Sequence, residues 1–341
     1  MINILMTGAG APGGPGIIKC LKDVPNSKLI VGDADHNASG KFLNDSFVLL
    51  PKAKDDNFIN KVLSICKEMH IDVIFPLVTM ELFKFSKNRE IFKENNIKII
   101  VSDFQNLSIA NNKSSLYKHL EKQGIPTPMF RVVNNYEEFY KAKQEIKEAT
   151  SSYCLKPSIS NGSRGVRLVN DKINEFDLLF NEKPNSLYIS DEKINAILKD
   201  NSFPELLIAE ILPGNEYTID TIVDNTGDPI LILPRIRTKT NGGISVAGKF
   251  EKHTKIIDYC HKIIKSLKLI GPIGIQVKED KYGDFKILEI NPRIQGTSVA
   301  ALGAGVNLPR LALESFLNIE YTIPEIKWDT EFIRYYDELF F

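Results

Sequence analysis

Over the first hundred residues short apolar runs alternate with helical stretches, a pattern that leaves a parallel sheet covered by helices on both faces as the predicted architecture. Ile2 to Met6 is followed by a glycine-rich turn and a helix over Gly16 to Leu21, a β-turn-α opening. Lys28 to Val31 runs into Gly32-Asp33-Ala34-Asp35. Further strands are predicted at Phe47 to Leu50, Val73 to Pro76 and Ile97 to Val101, with a helix at Phe58 to Met69 between them. A helix over Asn111 to Gln123 is stopped by Gly124-Ile125-Pro126-Thr127-Pro128, a linker signal. A helix at Tyr136 to Ala149 and strands at Tyr153 to Lys156 and Val166 to Val169 follow, and the polar stretch Asn181 to Asn201 reads as a helical or loop excursion. From Leu206 onward strands dominate: Leu206 to Ile211, Glu216 to Val223, Pro229 to Arg237, Gly274 to Lys278 and Phe285 to Ile290. Helices at Thr254 to Leu267 and Pro309 to Leu317 punctuate them, which suggests an α+β domain. Three domains are expected, at 1–110, 111–205 and 206–341.

Lys and Arg together number 43, as do Asp and Glu. That balance argues against a general nucleic-acid or anionic-membrane binder and leaves room for a local basic groove around a nucleotide's phosphates. Cys20, Cys66, Cys154 and Cys260 form no CxxC pair and lie near no histidine at ligand spacing, which reads as reduced thiols in a cytoplasmic protein. The five histidines form no ligand cluster. No stretch approaches the roughly 18 apolar residues of a membrane span, so none is expected.

Gly8-Ala9-Gly10-Ala11-Pro12-Gly13 follows a strand and opens a helix, with Asp33 further on, as a dinucleotide fingerprint does. Pro12 and Pro15 remove backbone donors from that loop. It can therefore serve a nicotinamide enzyme, line a substrate site through Gly10 and Asp33, or join strand to helix with no ligand.

The stronger signal is Ile287-Leu288-Glu289-Ile290-Asn291-Pro292-Arg293, preceded by Gly274-Ile275-Gln276-Val277-Lys278. Glu289 and Asn291, two apart on a strand, share a face, and Gln276 on a neighbouring strand can lie across from them. One carboxylate and two amide oxygens suit Mg²⁺ and leave ligand positions for phosphates. Arg293, just past the strand, can neutralise charge on a transferring phosphoryl group. Upstream, Lys156 ends a strand and leads into a loop of small residues, Ser158 to Gly165, that can close over phosphates. After the apolar strand through Glu210, Ile211 and Leu212, an exposed main chain can read an adenine edge, with Glu216 placed for ribose hydroxyls.

The order and spacing of these pieces resembles the ATP-grasp superfamily, especially its carbamoyl-phosphate-synthase-like, biotin-carboxylase-like and amino-acid-ligase members, over nearly the whole chain. The resemblance implies an N-terminal Rossmann-like pre-ATP-grasp domain followed by a two-subdomain ATP-grasp fold. It implies Lys113 and Lys156 as phosphate-binding lysines, with Ser163 and Gly165 in the ATP lid, Glu210 to Leu212 as the adenine hinge and Glu216 as the ribose ligand. Gln276, Glu289 and Asn291 then match the positions for Mg²⁺, or Mn²⁺ in its place, and Arg293 matches the arginine beyond them. Gln276 replaces the carboxylate of many members and favours the carbamoyl-phosphate-synthase-like branch. The interval between Lys156 and Glu210 is longer than in most members.

The implied activity is an ADP-forming ligase that joins a small-molecule carboxylate to an amine or a thiol through an acyl phosphate. Dimers are common in proteins of this type. Arg235 and Arg237, two apart on one strand near Asn241-Gly242-Gly243, can grip a substrate carboxylate or form a solvated basic strand. Glu81 can face the substrate or simply start a helix. The aromatics Tyr335, Tyr336, Phe340 and Phe341 are expected to pack the C-terminus onto the body. The competing expectations are an NAD(P)-dependent oxidoreductase built on the glycine loop, and a catalytically silent ATP-binding sensor or scaffold.

Overall fold

The computed structural model describes residues 1–160, 162, 164–169, 174, 176, 180–181 and 187–341. The chain divides into two compact units: residues 1–110, 217–276 and 290–341 make the first, and residues 111–216 and 277–289 the second.

The first unit opens with a five-stranded parallel sheet of β1 (Ile2–Thr7), β2 (Ser27–Asp33), β3 (Phe47–Leu49), β4 (Val73–Phe75) and β5 (Lys98–Ile99), in the order β3-β2-β1-β4-β5. Its helices are α1 (Gly14–Lys22), α2 (Gly40–Leu43), α3 (Phe58–Glu68), α4 (Thr79–Lys87), α5 (Arg89–Glu94) and α6 (Phe104–Asn111). Strand order reverses between β1 and β4, and the crevice beyond the carboxyl ends of strands at such a reversal is where open α/β sheets take ligands. One face of the sheet packs Leu5, Ile30 and Ile74 against Phe58, Val62, Phe85 and Phe92. Ile4, Met6, Val31 and Phe75 on the other face share a core with Ile222, Leu233, Phe250, Leu308 and Leu311. The apolar residues of the opening sheet are thus divided between two cores, one of them built with residues more than a hundred positions away.

The second unit carries a five-stranded sheet of β6 (Phe130–Val133), β7 (Tyr153–Pro157), β8 (Arg167–Val169), β9 (Tyr188–Ile189) and β10 (Leu206–Glu210), in the order β6-β10-β7-β8-β9. The linker helix is α7 (Lys113–Lys122), started by the Asn112 side chain, which accepts a hydrogen bond from the Ser115 N–H. Helix α8 (Tyr136–Thr150) covers the sheet with Phe139, Ala142 and Ile146. In its described part the excursion expected at 181–201 is β9 followed by α9 (Asp191–Lys199), and residues 182–186 lie outside the described residues. Helix α9 is fastened by charge as well as by Ile194 and Leu198: Asp191 accepts from buried Lys143 at 3.0 Å and from the Tyr153 hydroxyl at 2.8 Å.

A third sheet of β11 (Glu216–Val223), β12 (Pro229–Asn241), β13 (Ile244–Phe250), β14 (Gly271–Glu279), β15 (Phe285–Asn291) and β16 (Glu331–Ile333) runs β15-β14-β11-β12-β13-β16. The division into units passes through β14 and β15, so residues 277–279 and 285–289 of these strands belong to the second unit and the rest to the first. Helices α10 (Thr254–Leu267) and α11 (Leu308–Leu317) and a short 3-10 helix at Ser298–Leu302 complete the described elements. The C-terminal aromatics do not pack as expected: Tyr335, Tyr336, Phe340 and Phe341 are 83%, 87%, 95% and 89% exposed. They follow a three-residue edge strand and belong to no further strand or helix, so nothing presses them into a core; Phe341 only stacks on Phe42, with ring centroids 3.8 Å apart.

Burial alone would raise the Asp191 carboxyl, but the Tyr153 hydroxyl and the Lys143 and Lys147 ammonium groups outweigh it and hold it below the usual range. A depressed carboxyl contributes stability above its unfolded pKa and loses it as pH falls through the folded one. Asp191→Asn is expected to lower stability by about 2 kcal/mol at neutral pH, at the low end for a broken pair because the carboxylate is partly exposed. Urea unfolding at pH 7 and in acid checks this, with the two proteins converging in acid.

Candidate functional site

In the second unit, residues from separate stretches of sequence meet around two lysines. Lys113, at the start of α7, is 5% exposed, and its ammonium stands 3.4 Å from a Glu289 carboxylate oxygen and 3.2 Å from the Ser160 carbonyl. Its backbone N–H donates to the Ser158 carbonyl, which fastens the start of the helix to the beginning of the small-residue loop. One turn further on, Tyr117 is fully buried and donates to the Ile287 carbonyl at 2.7 Å, just before Glu289. Burial pushes that phenol up to about 12, so it remains a donor.

Lys156 lies on β7, paired with Leu207 of β10. Burial alone would favour its neutral form, but Tyr117, Cys154, Glu289 and Glu216 override that and hold the ammonium above its ordinary range. The Glu210 side chain accepts from the Met129 N–H at 2.8 Å. Beyond Glu210 the chain leaves β10, passes through Ile211 and Leu212, and returns at Glu216 as β11. The loop after β7 doubles back on itself. Gly165 has a φ of +77°, and a Cβ there would lie 2.5 Å from Pro157 Cγ, so no other residue fits without displacing the proline. Ser163 lies outside the described residues. Two cations and three carboxylates of the expected nucleotide set, Lys113, Lys156, Glu210, Glu216 and Glu289, are therefore electrostatic neighbours within one unit.

The first unit holds the remaining residues. At the carboxyl end of β1 the Thr7 hydroxyl donates to Glu81, the 6%-exposed acid in the first turn of α4. Asp33, at the end of β2, accepts from the Gly10 N–H at 2.8 Å and the Asp35 N–H at 2.9 Å, and so shapes the glycine loop. Burial pushes the Glu81 carboxyl up to about 7, with the Thr7 hydroxyl opposing the shift and the Asp33 charge adding to it. Arg293 donates to the Ile294 carbonyl at 2.8 Å and approaches the Thr79 hydroxyl, at the start of α4, at 3.4 Å. Thr7, Asp33, Glu81 and Thr79 thus stand at the strand-order reversal, and Arg293 reaches the same edge.

Arg237 donates to the Gln276 amide oxygen at 3.4 Å and to the Gly243 carbonyl at 2.6 Å. Arg235, two residues earlier, is fully buried and paired with Asp220 at 2.9 Å. Asn291 ends β15, and its carbonyl accepts from the Arg293 N–H at 2.7 Å. Tyr117, Thr7, Thr79 and Asp220 were not singled out from the sequence. Tyr117 had a usable signal, its i+4 spacing from Lys113, and Asp220 another, an acid inside the apolar strand YTIDTIV.

The end of the glycine loop packs against a distant segment of the chain. A Cβ on Gly13 would lie 2.1 Å from Gly296 Cα, so the close approach that glycine permits is spent on another backbone. Arg334 also donates to the Pro12 carbonyl at 3.1 Å.

Mg²⁺ is tested by donor chemistry. By donor type the set expected from the sequence, one carboxylate and two amides, is of the hard kind that Mg²⁺ accepts together with phosphate and water. Among the described residues no group of three or more His, Cys, Asp or Glu could hold a metal ion, so an all-protein cage of those types is absent there. No helix of the described residues is long and apolar enough to cross a membrane.

Residues 202–333 match the family described as ATP-grasp in the biosynthetic pathway with Ter operon, and residues 4–100 match the PylC-like N-terminal domain. The chain is 27% identical over 234 residues to the carbamoyl phosphate synthase large chain of Clostridium acetobutylicum, covering 65% of this chain and 20% of that protein. It is 27% identical over 293 residues to the large chain of Clostridium botulinum strain Eklund 17B, covering 82% and 25%. The chain thus spans a quarter or less of the length of these relatives. Among solved structures, the ADP complex of N5-carboxyaminoimidazole ribonucleotide synthetase matches with a TM-score of 0.73 at 16% identity, over 97% of this chain and 80% of that one. Biotin carboxylase of Campylobacter jejuni matches with a TM-score of 0.69 at 18% identity, over 96% and 74%. The L-amino acid ligase of Bacillus licheniformis matches with a TM-score of 0.67 at 16% identity, over 92% and 74%. The fold is that of the ATP-grasp ligases. Residues 202–333 thus resemble an ATP-grasp domain and residues 4–100 a PylC-like N-terminal domain.

Because the Glu81 carboxyl is raised from an ordinary 4.5 to about 7, the folded state holds more protons than the unfolded one between those values. Stability then falls as pH rises through that window. Glu81→Gln, which still accepts from Thr7, is expected to flatten a fall of roughly 3 kcal/mol at most. Urea midpoints of both proteins from pH 4 to 8 check the slope.

Proposed function

We propose that this chain is an ATP-dependent ligase that activates a small-molecule carboxylate as an acyl phosphate and passes the acyl group to an amine. The observation that carries this reading is the second unit's charge cluster. Lys113 stands 3.4 Å from Glu289, and Lys156, on a different segment, is kept charged in part by the same carboxylate. Residues 1–110 act as the pre-ATP-grasp domain, 111–205 as linker helix and lid, and 206–341 as the catalytic part.

In this reading Glu210 to Leu212 receive adenine, Glu216 the ribose, and the loop containing Ser163 and Gly165 covers the phosphates. Glu289, Gln276 and Asn291 would hold Mg²⁺, which supplies charge neutralisation on the triphosphate. A carboxylate oxygen takes the γ-phosphoryl group as the bond to ADP breaks. The amine then adds to the acyl carbon, phosphate leaves with the bonding pair, and the amine's proton passes to solvent. Lys113, Lys156 and Arg293 neutralise the charge that moves, so positioning and electrostatics do most of the catalytic work. Closure of the loop excludes the water that would hydrolyse an acyl phosphate. The edge with Gly10, Asp33 and Glu81, together with Arg237, faces the co-substrates. The buried packing of Gly13 against Gly296 favours this reading over a nicotinamide cofactor on the glycine loop.

Phosphate release from ATP and Mg²⁺, screened over pairs of small carboxylates and amines, tests the proposal. Release that requires both partners is expected. Nicotinamide binding without ATP binding, or ATP binding with no co-substrate-dependent release from any pair, would overturn it. With an active pair in hand, Arg293→Ala is expected to lower kcat by roughly 10²-fold or more, the cost of one transition-state charge contact, with the melting temperature unchanged.

A further inference from the structure

Asp220 sits inside β11 at 3% exposure, with every donor that reaches it fixed by the fold. Its Oδ2 accepts from Arg235 Nε at 2.9 Å, and its Oδ1 accepts from the Ser298 hydroxyl at 2.6 Å and from Gln295 Nε2 at 3.2 Å. Arg235, fully buried over the Phe332 ring, donates from Nη2 to the Thr297 hydroxyl. Gln295 itself fits only because residue 274 is glycine, where a Cβ would lie 2.2 Å from the Gln295 amide carbon. Three of the four residues from Gln295 to Ser298 are therefore tied by side chain to one buried ion pair. The fourth, Gly296, is the one on which Gly13 rests.

A buried pair of this kind contributes little net stability, because removing two charges from water costs about as much as their attraction returns. What it does provide is fixed geometry. Arg293 is fastened by its Nη1 to the carbonyl of Ile294, the residue before Gln295, and Gly13 and Gly16 meet Gly296 and Val299 on the other side of the same segment. Any shift of residues 295–298 would carry the Arg293 guanidinium and the glycine loop with it.

We infer that Asp220 and Arg235 are positioning residues that set the place of Arg293 and of the Gly8 to Gly14 loop through the segment Gln295 to Ser298. Arg235, anticipated from sequence as a substrate ligand, acts here from beneath the site. This rests on the ligase reading for its catalytic consequence, but the positional claim stands on its own.

The test uses the full chain with Asp220→Asn, Arg235→Lys and the milder Thr297→Val, which removes a single hydrogen bond. Amide hydrogen exchange is expected to quicken at residues 294–299 and 8–14 and to stay unchanged at residues 113–122. With an active substrate pair, kcat is expected to fall roughly 10- to 100-fold, as for a misplaced catalytic group, while the KM for ATP holds. In an Arg293→Ala background Asp220→Asn should cost little more, since it acts through that arginine. Full additivity of the two losses, or equal falls in kcat and ATP affinity, would overturn the positioning role. Where Asp220→Asn does not fold, Thr297→Val carries both readouts, with a smaller effect in the same direction. Should the parent chain release no phosphate with any pair, the ligase reading fails separately and exchange decides: faster exchange confined to the two segments supports the device, and unchanged exchange refutes it.

Discussion

The ion pair between Lys113 and Glu289 is the constraint around which the second unit is organised. The lysine side chain is nearly dry and the glutamate about two-thirds buried, so neither charge can be left without a partner. Their positions are fixed from below, by Tyr117 gripping the backbone before Glu289 and by the Lys113 backbone gripping Ser158. In the proposed function, a nucleotide's phosphates would find cations already oriented there, with a carboxylate beside them for a divalent ion. Preorganised charge of this kind lowers a barrier because no reorganisation is left to occur during reaction.

A different device holds the first unit. Its opening sheet has a helix-covered core on one face and shares the other core with β11, β12 and α11. Gly13 of the glycine loop consequently rests against Gly296. The third glycine of the fingerprint-like motif is thus used in a contact between two segments. Asp33 nonetheless keeps the role of a shaping acid, because its carboxylate accepts the Gly10 N–H.

This division explains what the sequence revealed. The alternation of apolar runs and helices is local, and β1 to β4 and α3 lie where that pattern puts them. Lys156, Glu289 and Arg293 could be singled out as candidates because strand ends with charged residues and small-residue loops carry a chemical signal in their spacing, and their roles belong to the proposed function. Thr7 was not, since a threonine in a strand has no local mark of a partner 74 residues away, and Asp220 showed only as an acid inside an apolar strand, with none of its partners marked. Arg235 misled for the same reason: periodicity puts it on the same face as Arg237, but only the fold places Asp220 beside it. The short strand β6 has just four residues between a proline turn and an asparagine pair, too few for an alternation to register.

The neutral residue at 276 fits the charge arrangement around it. Arg237 lies within 3.4 Å of the Gln276 amide oxygen and is itself braced by the Gly243 carbonyl. A carboxylate at 276 would form an ion pair with that arginine, and a cation seeking the same oxygen would have to compete with a fixed guanidinium. The amide accepts one long, weak hydrogen bond and retains a lone pair, so it can offer its oxygen to a cation at small cost. Glutamine at this position therefore leaves Glu289 as the single carboxylate of the proposed donor set and lets Arg237 stay where it can meet a second anion.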